Sequence, residues 1–227
     1  MNIDLTGKKL FITGGHGGIG SAICERFSSS GAAVEAPSSK DLNLTDESAI
    51  DEYFRLTRFK PDIVIHSAAV NDLAGIEELD SDSLQKIFAV NLFSFMRILK
   101  NVIPDMRANN YGRIIAISSI YGLVSRERRI PYSSTKFALT GFIKSLALET
   151  AKNNILVNGV APGWVLTAMT RKNLSGSEIA ELSKNVIPTG RMQEASEIAD
   201  LCCFLCSSLN QSITGQIIPV DGGFLCR

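Results

Sequence analysis

Short runs of β-branched and aliphatic residues alternate with amphipathic runs along most of the chain. Lys9–Thr13 reads as an opening strand, followed by a helix over 19–30 and a strand over 33–36. A helix follows over 46–59, with Thr45 as its N-cap and acids in its first turn. Then come a strand over 62–66, a long amphipathic helix over 83–106 and a strand over 113–118. A helix over 131–151, a strand over 155–158, a helix over 196–209 and a strand over 216–220 complete the pattern. Such alternation specifies an α/β fold: a doubly wound parallel sheet in three α/β/α layers. At 227 residues, without repeats or linkers, the chain reads as a single domain. Only Pro37 to Asp41 separate the second strand from Leu42-Asn43-Leu44. A parallel crossover needs about a dozen residues or more. The connection after the second strand is therefore shortened, and the third strand is expected to be short or the sheet edge irregular.

Charge and cysteine content exclude several classes of function. Lys plus Arg and Asp plus Glu number 23 each, so no basic footprint points to nucleic acid or anionic membrane. No secretion signal and no run of about 18 apolar residues is seen, which makes cytoplasmic residence the default expectation. The five cysteines (Cys24, Cys202, Cys203, Cys206, Cys226) are odd in number and suggest no disulfide framework. Cys203 and Cys206 have metal-like spacing but lie in an apolar helical run, and the two histidines exclude a histidine-rich metal site.

The loop Thr13-Gly-Gly-His-Gly-Gly-Ile-Gly20 joins the first strand to the first helix. Glycines there let the backbone turn tightly against a pyrophosphate, and the helix N-terminus offers free N–H groups. This marks a Rossmann-like dinucleotide site. No Gly-Lys-Ser/Thr ending follows, which excludes a P-loop. An acid at the tip of the second strand would select NAD by binding the adenosine ribose. Here the tip is Ala36-Pro-Ser-Ser-Lys40, with Glu35 earlier in the strand and pointing elsewhere. Ser38, Ser39 and Lys40 can instead hold the 2′-phosphate of NADP, with NAD the alternative.

Tyr132 and Lys136 stand at i and i+4 on one helical face, thirteen and more residues after Ser119 at a strand end. A phenol of pKa about 10 is a poor base at neutral pH. A neighbouring ammonium lowers it, and a serine hydroxyl can hold the reacting oxygen. Asn91 can hold a proton-relay water beside Lys136. This set suits interconversion of a carbonyl and an alcohol, with Tyr132 as acid/base.

The sequence resembles the classical short-chain dehydrogenase/reductases over nearly its whole length. The resemblance is carried by Thr13 to Gly20, Asn91, Ile117-Ser-Ser119, Tyr132-x-x-x-Lys136, Asn158-Gly-Val-Ala-Pro-Gly163, and Ile213-Thr-Gly215 through Val220-Asp-Gly-Gly223. It implies a catalytic tetrad of Asn91, Ser119, Tyr132 and Lys136, with Lys136 also bonding the nicotinamide ribose. It implies that Val165 and Thr167 contact the carboxamide after Pro162 and Gly163, and that the protein is a homotetramer or homodimer. Cofactor contacts are then expected from Gly14, His16, Gly17, Gly18, Ile19 and Gly20, and from Ser38, Ser39, Lys40, Asn43 and Leu44. His66, Ala68 and Ala69 join them, with Asn91, Tyr132, Lys136, Pro162, Gly163, Val165 and Thr167. Two departures stand out. His66-Ser-Ala-Ala69 replaces the family's Asn-Asn-Ala-Gly, and resembles the His-x-Ala-Ala of extended-type members acting on nucleotide sugars. Asn43 replaces the acid that contacts adenine, which makes an amide hydrogen bond the expected contact.

Two loops would define the substrate. The first, 120–130, carries Arg126, Arg128 and Arg129, which can clamp a carboxylate or phosphate or else lie at a subunit contact. The second, within the lid 164–190, carries Trp164, Met169, Arg171 and Lys172. The expected partner is a small carbonyl or alcohol, with an anionic sugar derivative or a 3-oxoacyl thioester among the options. A nicotinamide-retaining epimerase or dehydratase and a non-catalytic dinucleotide sensor are the alternatives. The sensor's signature would be loss of Tyr132 or Lys136, and both residues are present.

Overall fold

The computed structural model describes residues 3–167, 170–171 and 174–226. Met169 and Lys172, expected in the lid, lie outside the described residues. Six parallel strands form the central sheet: Lys9–Thr13 (β1), Ala33–Glu35 (β2), Ile63–His66 (β3), Gly112–Ile117 (β4), Ile155–Pro162 (β5) and, at the far edge, Ile217–Val220. The spatial order is β2, β1, β3, β4, β5 and then the last strand. Chain order reverses on either side of β1, so the crevice between the carboxyl ends of β1 and β3 is the topological switch point.

Burial follows position in the sheet. Every residue of β3, β4 and β5 is buried, as continuous apolar strands covered on both faces must be. One helical layer contains Gly18–Ser29 (α1) and the helix Ala195–Cys206, packed over Ile12, Ile65 and Ile115. Cys202, Cys203 and Cys206 are buried there as core residues. The other layer covers Phe11, Val64 and Ile114. It contains Glu47–Leu56 (α2), the run Ser81–Phe88 (α3) continuing into Ser94–Ala108 (α4), and Ile130–Thr150 (α5). A π-helical segment, Ala89–Phe93, joins α3 to α4. The run 81–108 is long and apolar enough to cross a membrane, but half of its most apolar window is buried inside the fold, as in a core helix.

Two sequence expectations are corrected. No strand forms at Leu42-Asn43-Leu44. The amides of Asp41 and Leu42 both donate to the Ser38 carbonyl, and Asp46 donates to that of Asn43, so the segment is a pair of turns. Leu42 and Leu44 are apolar because they pack beneath the sheet edge with Phe11 and Ile50. The N-cap of α2 is Asp46, which accepts from the amides of Ser48 and Ala49, whereas Thr45 is tied to Asn43. The lid region also contains a helix, Gly176–Val186 (α6), opened by a Ser175/Glu178 capping box. Two short strands flank it, Val165–Leu166 (β6) and Gln193–Glu194 (β7), and pair with each other in parallel. The helix Ala195–Cys206 is α7 and the edge strand Ile217–Val220 is β8.

Candidate active site

The glycine-rich loop packs too closely on neighbouring protein atoms for any larger residue. Gly14 has φ of +70°, and a Cβ there would lie 2.6 Å from the Ala68 amide nitrogen. A Cβ on Gly20 would lie 2.0 Å from the Gly14 carbonyl oxygen. The N-cap of α1, Gly17, offers no side-chain cap, so the first-turn amides face the crevice without a side-chain acceptor. Beside this turn opens a cleft of about 550 Å³. Gly14, His16 and Gly17 line it from one side, Ser38, Ser39, Asn43 and Leu44 from another, and Ala68 and Ala69 from beneath. Lys86 of α3 also reaches it, a residue the sequence pattern did not single out. Ile19 is half-buried and packs on the core beneath α1. The Gly18 backbone sits under Thr167, whose Cβ would lie 2.7 Å from a Cβ added at that glycine.

At the tip of β2, Glu35 turns away and accepts a hydrogen bond from the Tyr53 phenol at 2.5 Å. Ser38 is already engaged: its amide and hydroxyl donate to Asp41 at 3.0 and 2.6 Å. An acid therefore does stand at this tip, folded back from three residues further on. These bonds hold its carboxyl below the usual range, with the charges of His16 and Lys40 adding to the effect. Ser39 and Lys40 are exposed.

The second cavity, about 210 Å³, lies at the carboxyl ends of β4 and β5. Ser119, Tyr132, Gly163, Val165 and Trp164 line it, together with Asn71, Tyr121, Arg129 and Thr170. Lys136 is 1% exposed and its Nζ donates to the Ile117 carbonyl at 2.8 Å. Burial pushes its pKa down to about 7. The same Nζ stands 5.4 Å from the centre of the Tyr132 ring. Burial raises the Tyr132 phenol, while hydrogen bonding with Ser119 and the positive charge of Arg129 pull it back down. The positive charge of Arg129 thus joins Lys136, to which the sequence spacing points, beside this phenol.

Asn91 is fully buried in the π-helical segment. Its oxygen accepts from the Val70 amide at 2.7 Å, and its nitrogen donates to the Val70 carbonyl at 2.9 Å and the Thr135 hydroxyl at 3.1 Å. Both amide hydrogens are thereby spent, while the oxygen keeps a second lone pair. Asn91 also fixes Val70, which lines the cofactor-sized cleft, next to Asn71, which lines the smaller cavity.

Comparison with known proteins agrees with this geometry. A family model described as Enoyl-(Acyl carrier protein) reductase matches residues 35–225. A 3-oxoacyl-(acyl-carrier-protein) reductase of Aquifex aeolicus is 34% identical, with 98% of this chain and 99% of the relative covered. The chain belongs to the short-chain dehydrogenase/reductase family. Its members act as NAD(P)-dependent oxidoreductases, and this chain is an enzyme of that class. A D-beta-hydroxybutyrate dehydrogenase of Cupriavidus necator is 26% identical over 98% of this chain and 100% of the relative. Among solved structures, L-sorbose reductase from Gluconobacter frateurii, complexed with NADPH and L-sorbose, superposes with a TM-score of 0.92. It is 26% identical, and both chains are covered in full.

Against the family pattern, His66 is the clearest correction. Expected at the cofactor, it is fully buried, stacked on Phe95 with ring centres 4.9 Å apart, and joined through Nδ1 to the Thr13 hydroxyl at 2.8 Å. Burial, and then the nearby Lys136, push its pKa down to about 3, so the ring is neutral. It supports Thr13 from behind, and the Thr13 hydroxyl in turn accepts from the Ala68 amide. The three loop arginines also separate in this short-chain dehydrogenase/reductase. Arg128 forms a bidentate pair with Glu78 at 2.6 Å, Arg126 is exposed and lines a separate hollow with Leu73, Glu127 and Arg128, and Arg129 alone of the three lines the smaller cavity.

Proposed function

We propose that this chain is an NADP(H)-dependent enzyme that interconverts a small ketone or aldehyde and its alcohol in the cytoplasm, with Tyr132 as acid/base. The observation that carries the reading is one cavity lined by the Tyr132 phenol and Ser119, backed by buried Lys136, beside a glycine-cradled cleft. The nicotinamide supplies or accepts the hydride when bound. Tyr132 gives its proton to the carbonyl oxygen in reduction and takes it back in oxidation. Ser119 hydrogen-bonds that same oxygen and, through its bond to the phenol, keeps the two donors converged. Lys136, one helical turn from Tyr132, would hold the nicotinamide ribose and continue the proton path. Gly163, Val165 and Trp164 close the cavity against water. The direct test is a screen of carbonyl compounds for stoichiometric NADPH oxidation. Product formation without any net change in nicotinamide absorbance would replace this reading with an epimerase or dehydratase.

With Asp41 engaged by the Ser38 amide and hydroxyl and Glu35 turned onto Tyr53, exposed Ser39 and Lys40 at the β2 tip support NADP over NAD. NADPH is expected to bind more tightly than NADH, and Lys40→Ala to narrow the gap. Calorimetric affinities for both cofactors check this, and equal or tighter NADH binding in the wild type would remove the NADP assignment.

Assembly as a homodimer or homotetramer belongs to the same reading. On the two long helices, Phe95 and Ile143 are fully buried. Phe93, Met96 and Phe137 remain exposed, and Leu148 is 85% exposed. Phe137 and Leu148 lie eleven residues apart, three helical turns, on one stripe of α5. Between them, an added Cβ at Gly141 would meet nothing within 4 Å, leaving room for another helix to approach. Phe137→Asp is expected to dissociate the assembly. Light scattering that gave monomer mass for the wild type at micromolar concentration would exclude it.

A further inference from the structure

Among the described residues, the Arg129 guanidinium has no acidic partner in the cavity that also holds Tyr132. Its Nη1 donates to the Asn71 side-chain oxygen at 2.8 Å, and its plane lies over the Tyr121 ring, 5.1 Å from the centre. Its Nε is buried and makes no hydrogen bond. Among the described residues no carboxylate pairs with it, whereas the adjacent Arg128 is satisfied by Glu78. The backbone is held as firmly as the side chain: Arg129 pairs with Ala74 in an isolated parallel bridge. This bridge, the Arg128–Glu78 pair and the Asn71 contact strap the loop after β3 to the loop before α5. One edge of the guanidinium, Nε with Nη2, is thereby held in place and forms no hydrogen bond among the described residues.

A fixed guanidinium edge is a two-donor fork that matches the two oxygens of a carboxylate. Leaving a charged donor buried and unpaired is costly, so such a group inside a functional cavity points to a ligand that completes it. The cavity, about 210 Å³, is below the roughly 300–1,000 Å³ of sites for drug-sized ligands, which suits a short-chain molecule. We propose that Arg129 anchors a carboxylate of the substrate, so that the enzyme interconverts a short oxo acid and the corresponding hydroxy acid. This rests on the oxidoreductase reading above and assigns its substrate class. Arg126 and Arg128 have no part in recognition: one is exposed at a separate hollow and the other is consumed by Glu78. The same guanidinium serves both ends of the substrate, because its positive charge also lowers the Tyr132 phenol.

The test is a calorimetric titration with acetoacetate, its neutral analogue acetoacetamide, and inorganic phosphate. It uses the full chain with and without NADP⁺, so that binding is read without turnover. Wild type and Arg126→Gln are expected to bind acetoacetate alike. Arg129→Gln should bind it about tenfold more weakly or worse, with unchanged NADP⁺ affinity. Arg129→Lys, which keeps the charge and loses the fork, should recover part of the affinity and guards against misfolding of the glutamine variant. Equal acetoacetate binding in wild type and Arg129→Gln would overturn the proposal. So would acetoacetamide binding as well as acetoacetate, no acetoacetate binding by wild type in the millimolar range, or phosphate binding more tightly than acetoacetate. Failure of the wild type to bind NADP⁺, with the Arg129 effect on acetoacetate intact, would instead sink the cofactor reading and leave the anchor standing.

Discussion

Tyr132→Phe is expected to lower turnover by about a hundredfold to ten-thousandfold while leaving NADPH affinity largely unchanged. Phenylalanine keeps the ring, its packing in the cavity and the ring's approach to Lys136 at 5.4 Å. It removes only the hydroxyl that exchanges a proton with the reacting oxygen. The same residue sets a directional pH dependence in the wild type. Burial raises the phenol above its ordinary 10.0, and Ser119 and Arg129 offset this in part. Below that pKa the phenol is protonated, the form needed for reduction, so a fall of the reductive rate near pH 7 would come from Lys136 and not from Tyr132. Oxidation needs the phenolate and should rise with pH. Steady-state rates and NADPH titrations on the two proteins check both points. A phenylalanine variant retaining a third or more of wild-type turnover would take Tyr132 out of the proton path.

The features legible in the sequence are those written at short range. The turn from β1 into α1 is spelled by Gly14, Gly18 and Gly20 within one loop, because backbone approach to Ala68 and Thr167 forbids a side chain there. Tyr132 and Lys136 are readable as a pair because the helix period brings i and i+4 to one face. The α6 helix is equally legible, since Ser175 and Glu178 form a capping box. Other features depend on contacts that no local pattern records. Leu42 and Leu44 look like strand residues by composition, yet burial against Phe11 and Ile50 is satisfied by a turn as well as by a strand. Asp41 returns to the β2 tip only because Ser38 offers it two donors. Arg129 differs from Arg126 and Arg128 through Asn71 and Ala74, more than fifty residues earlier in the chain. Glu78, fifty residues from Arg128, removes that arginine from the cavity in the same way. Nothing within the run Ser125 to Arg129 distinguishes the three.

Lys136→Met is expected to abolish most turnover and at the same time to stabilise the cofactor-free protein. Lys136 is 1% exposed, with the Ile117 carbonyl as the partner of its Nζ. Its pKa, depressed by burial from 10.5 to about 7, corresponds to a cost on the order of 5 kcal/mol for the charged form. The sign follows from which state holds the proton. Below pH 7 both folded and unfolded chains carry it, and the folded state bears the full cost of burying the charge. Between pH 7 and 10.5 the unfolded chain binds more protons, so stability rises with pH; above that window the cost is gone. Methionine fills a similar volume without the charge. The variant should therefore be the more stable protein at pH 6 to 7, by a few kcal/mol once loss of the Ile117 hydrogen bond is counted against it. At about 2–4 °C per kcal/mol for a chain of this size, that is a rise in Tm of several degrees. The advantage should shrink steadily as the pH approaches 10. Retaining a buried lysine at such a cost is what a site needing a cation beside Tyr132 and the cofactor would demand. Thermal unfolding of both proteins across that pH range, without cofactor, decides the matter. A methionine variant less stable than wild type at pH 6 would show that the ammonium is better solvated in the fold than its burial implies.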